Sequence, residues 1–369
     1  LKDLVTWAAG QLRLRLHQGS RADLMLTATD GFGVGAEFSY RPLTDASVYA
    51  RGTGATYPEQ DMQTAAYVVS RLAVTDGSGL GSMTATDFRY EGLRRHLLGR
   101  GTLGFARRTR TDTTPGRRIR TEETRRQDFP FTGLPVSTAV RQESGQPVAT
   151  STHQWSKLDI GSGSSARSFP YLSNAVSRQY EVGGIRDGAE IVSVVRSVAA
   201  IDASSGLVTD ETTTVTEVAG GVNAASSASQ RTLHTSVMND AVNWCLGRTQ
   251  SAQLTASHSL TSGKAITRSM SQAWDIAKCR PTERRIEPGS SQWQVTRRLA
   301  YDTFGNVASQ SVTGIGMSPR ATTIDWGSRG QLPVSIANPL SQTMQFSWDA
   351  GTGLPLAMTD PNSLTVNWS

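Results

Sequence analysis

Along most of this chain the large apolar side chains fall two positions apart. Leu24 and Leu26 flank Met25, Phe38 and Tyr40 follow Ala36, Phe346 and Trp348 follow Met344, and Val366 and Trp368 follow Leu364. A period of two places such groups on one face of a pleated strand. Sustained helical spacing is scarce. The best helix candidate is the opening, residues 1–16, where Leu4, Val5 and Ala8 share a helical face, although Leu12, Leu14 and Leu16 already alternate. Turn formers punctuate the runs: Asp30-Gly31, Asp76-Gly77, Pro115-Gly116, Ser144-Gly145, Gly183-Gly184, Asp187-Gly188, Ser205-Gly206, Asn338-Pro339 and Asp360-Pro361. Many short strands between regular turns predict an all-β protein.

The C-terminal third repeats. Tyr301-Asp302-Thr303-Phe304-Gly305-Asn306 is one unit, Asp325 leading to Gly330 a second, and Trp348-Asp349 leading to Gly353 a third. Asp302 and Asp325 are 23 residues apart, and Asp325 and Asp349 are 24 apart. Asn338-Pro339 and Asp360-Pro361 alternate with these units, 22 residues apart. One period therefore holds a hairpin. The Asp carboxylate accepts from the amides of the loop it opens, and the Gly takes the left-handed position that closes it. One hairpin cannot bury its apolar face alone, so neighbouring hairpins must continue the sheet. Looser units start at Asp202, Trp244 and Trp274, and Asp30-Gly31 and Asp76-Gly77 lie about two periods apart.

Tyr301-Asp302-x-x-Gly305-Asn306 resembles the YD motif of Rhs/YD-repeat proteins. Phe88 to Phe105, with Tyr90-x-Gly92 and Gly99-Arg100-Gly101-Thr102-Leu103-Gly104-Phe105, resembles a segment of the B component of insecticidal toxin complexes and of SpvB-like proteins. Tyr57-Pro58-Glu59-Gln60-Asp61, Tyr67 to Arg71, and Gln127-Asp128-Phe129-Pro130-Phe131-Thr132-Gly133-Leu134-Pro135 fit the same family. The resemblance implies a long antiparallel β-sheet ribbon that forms part of a hollow shell, or cocoon. It implies a secreted bacterial toxin component that encloses a toxic polypeptide before delivery. The implied partners are that cargo, the remaining shell segments in the same or a partner chain, and a toxin-translocation pore. It divides the chain into a toxin-complex-B-like region (residues 1–135), a degenerate repeat ribbon (136–295) and clear YD repeats (296–369). The repeat motif is Tyr301, Asp302, Gly305, Asn306, Asp325, Gly330, Trp348, Asp349, Gly353 and Asp360. Ser328-Arg329 and Ala350-Gly351 lengthen the later loops. The chain opens on Leu1 and stops at Ser369 in mid-pattern, so it is expected to be a piece of something longer.

Composition narrows this little. Hydrophobic residues are 37% and charged residues 18%, with a net charge of +6, so the chain is not a highly charged disordered polymer. No apolar run approaches the ~18–20 residues of a spanning helix. Cys245 and Cys279 are too few for a disulfide scaffold or a four-cysteine zinc site. A bridge between them is open in an oxidising compartment; two separate thiols is the favoured expectation.

Charge is concentrated in one place. Residues 94–126 hold eleven Arg against Asp112, Glu122 and Glu123, a local +8. An anionic partner is one reading. No aromatic platform interleaves with the arginines, so nucleic acid is not expected. A hairpin tip at Pro115-Gly116 would spread them over two faces and pair some with Glu122 and Glu123. His17, His96, His153, His234 and His258 have no metal-ligand spacing, so no metal or cofactor is expected. Gly161-Ser162-Gly163-Ser164-Ser165 is a low-complexity loop and not a nucleophile elbow, and Gly31-Phe32-Gly33-Val34-Gly35 has no following helix. Asp360-Pro361-Asn362-Ser363-Leu364 resembles an Rhs self-cleavage motif, but Ser363 stands in place of Gly, and it reads as a repeat turn. No constellation points to an enzyme. Trp348 and Trp368 are expected to pack between ribbon turns. An exposed row of aromatic residues would favour the alternative, a cell-surface carbohydrate-binding adhesin of the YD-repeat type.

Overall fold

The computed structural model describes residues 4–8, 11–15, 24–77, 82–114, 118–163, 166–218, 225–261 and 264–368. Pro115-Gly116 and His17 lie outside them, as does part of 161–165. The chain is all-β. Among the described residues there is no α-helix, and a 3-10 turn lies at Ser259–Thr261. The opening differs from its helical candidate. β1 (Leu4–Ala8) and β2 (Gln11–Arg15) form a separate antiparallel pair, Leu4 opposite Arg15. Three apolar residues on a helical face do not outweigh the Leu12 and Leu14 alternation that follows them, and two short strands satisfy each other's backbone groups.

Two compact units make up the chain. The first comprises Leu1–His153 and Ser177–Glu190, the second Gln154–Val176 and Ile191–Ser369. In the first lie β3 (Thr27–Thr29), β4 (Gly35–Pro42), β5 (Tyr49–Ala50), β6 (Glu59–Asp61), β7 (Tyr67–Thr75), β8 (Met83–His96), β9 (Gly101–Asp112), β10 (Ile119–Arg125) and β11 (Pro135–Gln142). Two longer strands, β12 (Pro147–Ile160) and β13 (Arg167–Tyr180), contribute to both units. The order is antiparallel from β3 through β4, β7, β8, β9, β10 and β11 to β12. β8 is the spine: beyond β7 it takes β5 in parallel at Tyr90 and β6 antiparallel at its end. Its long excess over β7 leaves room for both. A true core lies here. Leu43, Val48 and Tyr49 are buried and packed against Val68, Tyr90, Leu93 and Phe105.

The second unit continues as a simple meander: β14 (Glu190–Ile201), β15 (Val208–Glu217), β16 (Ser226–Asp240), β17 (Cys245–His258), β18 (Ile266–Asp275), β19 (Arg280–Ile286), β20 (Val295–Tyr301), β21 (Val307–Gly314), β22 (Arg320–Asp325), β23 (Ser335–Ala337), β24 (Thr343–Trp348), β25 (Pro355–Thr359) and β26 (Thr365–Asn367). Each pairs antiparallel with the next. The register sorts side chains by face. Ile324, Ile336 and Met344 form one cross-strand row and Phe346, Met358 and Val366 the next. The other face carries Thr323, Ala337 and Thr343, and hydroxyl pairs such as Thr359–Thr365 at 2.9 Å. Such rows are the stabilising unit of a sheet. Little covers them: Cys245 and Ala252 are the buried hydrophobic residues of this unit. Most described strands of this unit therefore lack a second layer.

Candidate functional site

Segments that carry the toxin-complex resemblance meet in the first unit. β6 lies along the end of β8 with Asp61 opposite Arg94. Arg94 donates through Nε to Asp61 Oδ1 at 3.1 Å and through Nη1 to Glu59 Oε2 at 3.0 Å. The Asp61 side chain is 6% exposed, and its Oδ2 accepts from the Ala55 amide at 2.8 Å. Burial pushes the Asp61 carboxyl up, but the Ala55 amide and Arg94 outweigh it and hold it below the usual carboxylate range. Gly52 passes so close that a Cβ there would stand 2.7 Å from Asp61 Oδ1. The Gln127 side-chain amide donates to the carbonyls of Gly92 and Gly104, each at 2.7 Å. Tyr49 donates to the Met62 carbonyl at 2.6 Å and accepts from the Leu93 amide at 3.0 Å. Burial pushes its phenol up. Arg100 lies 3.6 Å over the Phe129 ring. These polar groups are committed to one another, so the arrangement clamps three chain segments together.

The arginine-rich stretch is largely neutralised in place. Among the described residues, Arg94, Arg107, Arg108, Arg118, Arg120, Arg125 and Arg126 form salt bridges. Glu122 and Glu123 take part, and Glu59, Asp61, Glu91, Asp128 and Glu143 are recruited from outside the stretch. Register does this: Arg108 stands directly opposite Glu123 across β9 and β10.

In the second unit the site is a chain of turns. Asp302 Oδ1 accepts from the amides of Gly305 (2.7 Å) and Asn306 (2.8 Å). Burial raises the Asp302 carboxyl, and the Asn306 and Gly305 donors more than reverse this. Asp349 is lowered by the Thr352 hydroxyl first, then by the Thr352 and Gly351 amides. Asp325 Oδ1 accepts from Gly327, and Asp360 Oδ1 from Asn362 and Leu364. Gly305, Gly330 and Gly353 have φ of 101°, 63° and 72°, the left-handed region that glycine enters freely.

Two regularities link several of these turns to earlier parts of the meander. First, an aromatic head beside the turn Asp donates to a backbone carbonyl of the preceding hairpin: Trp274 to Thr249, Tyr301 to Pro281, Trp326 to Val307 and Trp348 to Pro333, at 2.7–3.0 Å. Second, the turn glycine is covered by a side chain from an earlier turn or strand. Phe169 lies over Gly206, Ser205 over Gly247, Arg280 over Gly305 and Phe304 over Gly330, leaving no ordinary room for a Cβ. Asn306 adds a bond from its side chain to the Gly330 carbonyl at 2.7 Å. Sequence reasoning missed these links, because an acceptor carbonyl exists at every residue and carries no signature.

Cys245 and Cys279 form a disulfide, which corrects the expectation of two separate thiols. Both lie at hairpin turns, and the meander brings these turns side by side with Cα atoms 5.3 Å apart although 34 residues separate them. Cys245 is fully buried. His96 and His258 accept from local amides at Leu98 and Leu260, and His234 bonds Thr249. No group of three or more His, Cys, Asp or Glu side chains comes together among the described residues. Trp244 and Trp293 are 78% and 66% exposed on separate turns and do not form a row. Trp368 is 44% exposed on the last strand's flank.

No family model matches the chain, and no curated protein matches it. Solved structures do. The crystal structure of TcdB2-TccC3-TEV aligns with a TM-score of 0.69 at 9% identity, covering 91% of this chain and 23% of that one. TcdB2-TccC3 aligns at 0.69 with 11% identity over 91% and 24%. TcdB2-TccC3-Cdc42 aligns at 0.68 with 10% identity over 91% and 23%. At such identities the likeness is one of fold, and the fold is one that these TcdB2-TccC3 structures contain. The chain spans about a quarter of the length of these structures.

Proposed function

We propose that this chain is a wall segment of an Rhs/toxin-complex-type shell, secreted by a bacterium, that surrounds a toxic polypeptide before delivery and performs no reaction of its own. The observation that carries this is the single-layer meander of the second unit, in which strand follows strand and several turns are tied to earlier ones. A sheet covered on few of its strands encloses space instead of filling a core. The shared fold with TcdB2-TccC3 supports the reading, as do the motif segments converging on Arg94. A buried clamp in the first unit and a bonded ladder in the second each suit a rigid wall. The remaining shell would come from other parts of the same or a partner chain, which also cover the strand edges, and a translocation pore would receive the cargo.

The test is protection. The full-length protein, assembled with its cargo polypeptide, is challenged with proteinase K, and the cargo is followed by gel. The reading expects cargo to survive until the wall strands are cut. Cargo digested as fast as when free contradicts it. Specific binding on a glycan array would favour the adhesin instead.

A further inference from the structure

In four turns of the second unit an earlier side chain covers the turn glycine, and in two of them that side chain is phenylalanine: Phe169 over Gly206 and Phe304 over Gly330. The next turn breaks the pattern. Gly353 has nothing within 4 Å of where a Cβ would stand. The preceding turn offers only Ser328 and Arg329, both exposed. Where a ring would lie there is an open groove of about 660 Å³ between the turns at 326–334 and 346–353. That is within the size range of small-ligand and side-chain pockets.

The lining says what fits. Trp326, Leu332, Val334, Phe346 and Trp348 form its apolar surface, and the Phe346 and Trp348 rings stack with centroids 6.0 Å apart. Both indole N–H groups are already spent, on Val307 and Pro333. Asp349 Oδ1 is spent on its own turn. The rings therefore present faces and not donors, which suits an apolar aromatic guest better than a saccharide that needs convergent hydrogen bonds. Arg329 is exposed at the rim and makes no salt bridge among the described residues. We infer that this groove docks a polypeptide partner through an aromatic side chain flanked by an acidic residue. The guest ring takes the place that Phe304 holds one turn earlier, and the acid meets Arg329. This inference does not depend on what the wall encloses.

The probe is a synthetic peptide with the sequence of residues 300–307, which carries Phe304 and Asp302. It is titrated into the full chain labelled with 5-fluorotryptophan and followed by fluorine NMR. The Trp326 and Trp348 signals are assigned by W326F and W348F. A saturable shift confined to those two signals is expected, with a dissociation constant on the order of 10⁻⁴ M. A peptide with Ala in place of Phe should bind at least about tenfold more weakly. Arg329→Glu, at an exposed position that leaves the fold intact, should weaken binding severalfold. Ser328→Phe should fill the groove from within and abolish binding. Three results would overturn the inference: no shift at either Trp, equal binding of the Ala peptide, or a shift produced by maltotetraose or chitotetraose and not by the peptide.

Discussion

The first unit buries Leu43, Val48, Tyr49, Ala85, Leu103 and Phe131, and seats a carboxylate among them; the second buries Cys245 and Ala252. Both are antiparallel hairpins. What differs is where the cohesion sits. Around β8 it comes from one packed centre, where Arg94, Asp61, Glu59 and Gln127 hold segments far apart in sequence. Along β14–β26 it is distributed, with an aromatic hook at four turns, a covered glycine at four, and a disulfide across two turns. A node concentrates the effect of a substitution, and a ladder dilutes it. A wall can grow by repetition only in the second manner, since each added hairpin needs nothing but its neighbour.

The largest contrast should come from the node. Arg94→Ala strands a buried carboxylate and should cost about 3–5 kcal/mol, read as a fall in the urea midpoint with loss of amide protection confined to the first unit. If protection falls equally in the second unit, the two regions are not held separately. Next is the disulfide. Replacing Cys245 and Cys279 together by Ser should cost about 2–4 kcal/mol, with faster exchange in β17–β19 and little change around β8.

Gly330→Ala meets both a left-handed backbone and the Phe304 ring, and should cost about 1–3 kcal/mol. Adding Phe304→Ala separates the two causes. A double-mutant cycle with a coupling of about 0.5–1 kcal/mol supports the covered-glycine rung, and additivity leaves backbone conformation alone. Tyr301→Phe removes only the hydroxyl that reaches Pro281 and should cost about 0.5–1.5 kcal/mol by thermal melt.

Acid should give the smallest contrast, since depressed carboxylates occur in both units. Asp61, Asp302 and Asp349 are held below their usual range, and Asp45 is lowered to about 2, first by the Ser47 hydroxyl and then by Arg41. Their contribution is present above the unfolded value of about 3.9 and is lost as pH falls through the lowered folded values. Both units should therefore weaken together between about pH 4 and 2. Loss of one unit alone in a pH-stepped exchange experiment would show that the carboxylates matter in only one.

Much of this architecture was legible in the alternation at Phe346 and Trp348, in the Asp-to-Gly beat at 302, 325 and 349, and in the segments around Tyr90 and Gln127. What was not legible depends on register. The Arg94–Asp61 contact spans 33 residues and exists because β6 lies along β8. Cys245 and Cys279 meet because two turns stack, which their spacing does not reveal. The opening misled because Leu4, Val5 and Ala8 share a helical face over too few residues to make a helix pay no penalty for its ends. Turn glycines were read for their backbone freedom alone. That they also lie beneath an earlier turn's side chain follows only from the stacking of hairpins.

The most direct test of the proposed wall is an electron-microscopy reconstruction of the full-length protein with the cargo polypeptide proposed for it. The account predicts that β14–β26 form a layer one sheet thick, with cargo density on one face and solvent on the other. A second layer of this protein's own chain packed against both faces, leaving no enclosed space, would contradict it.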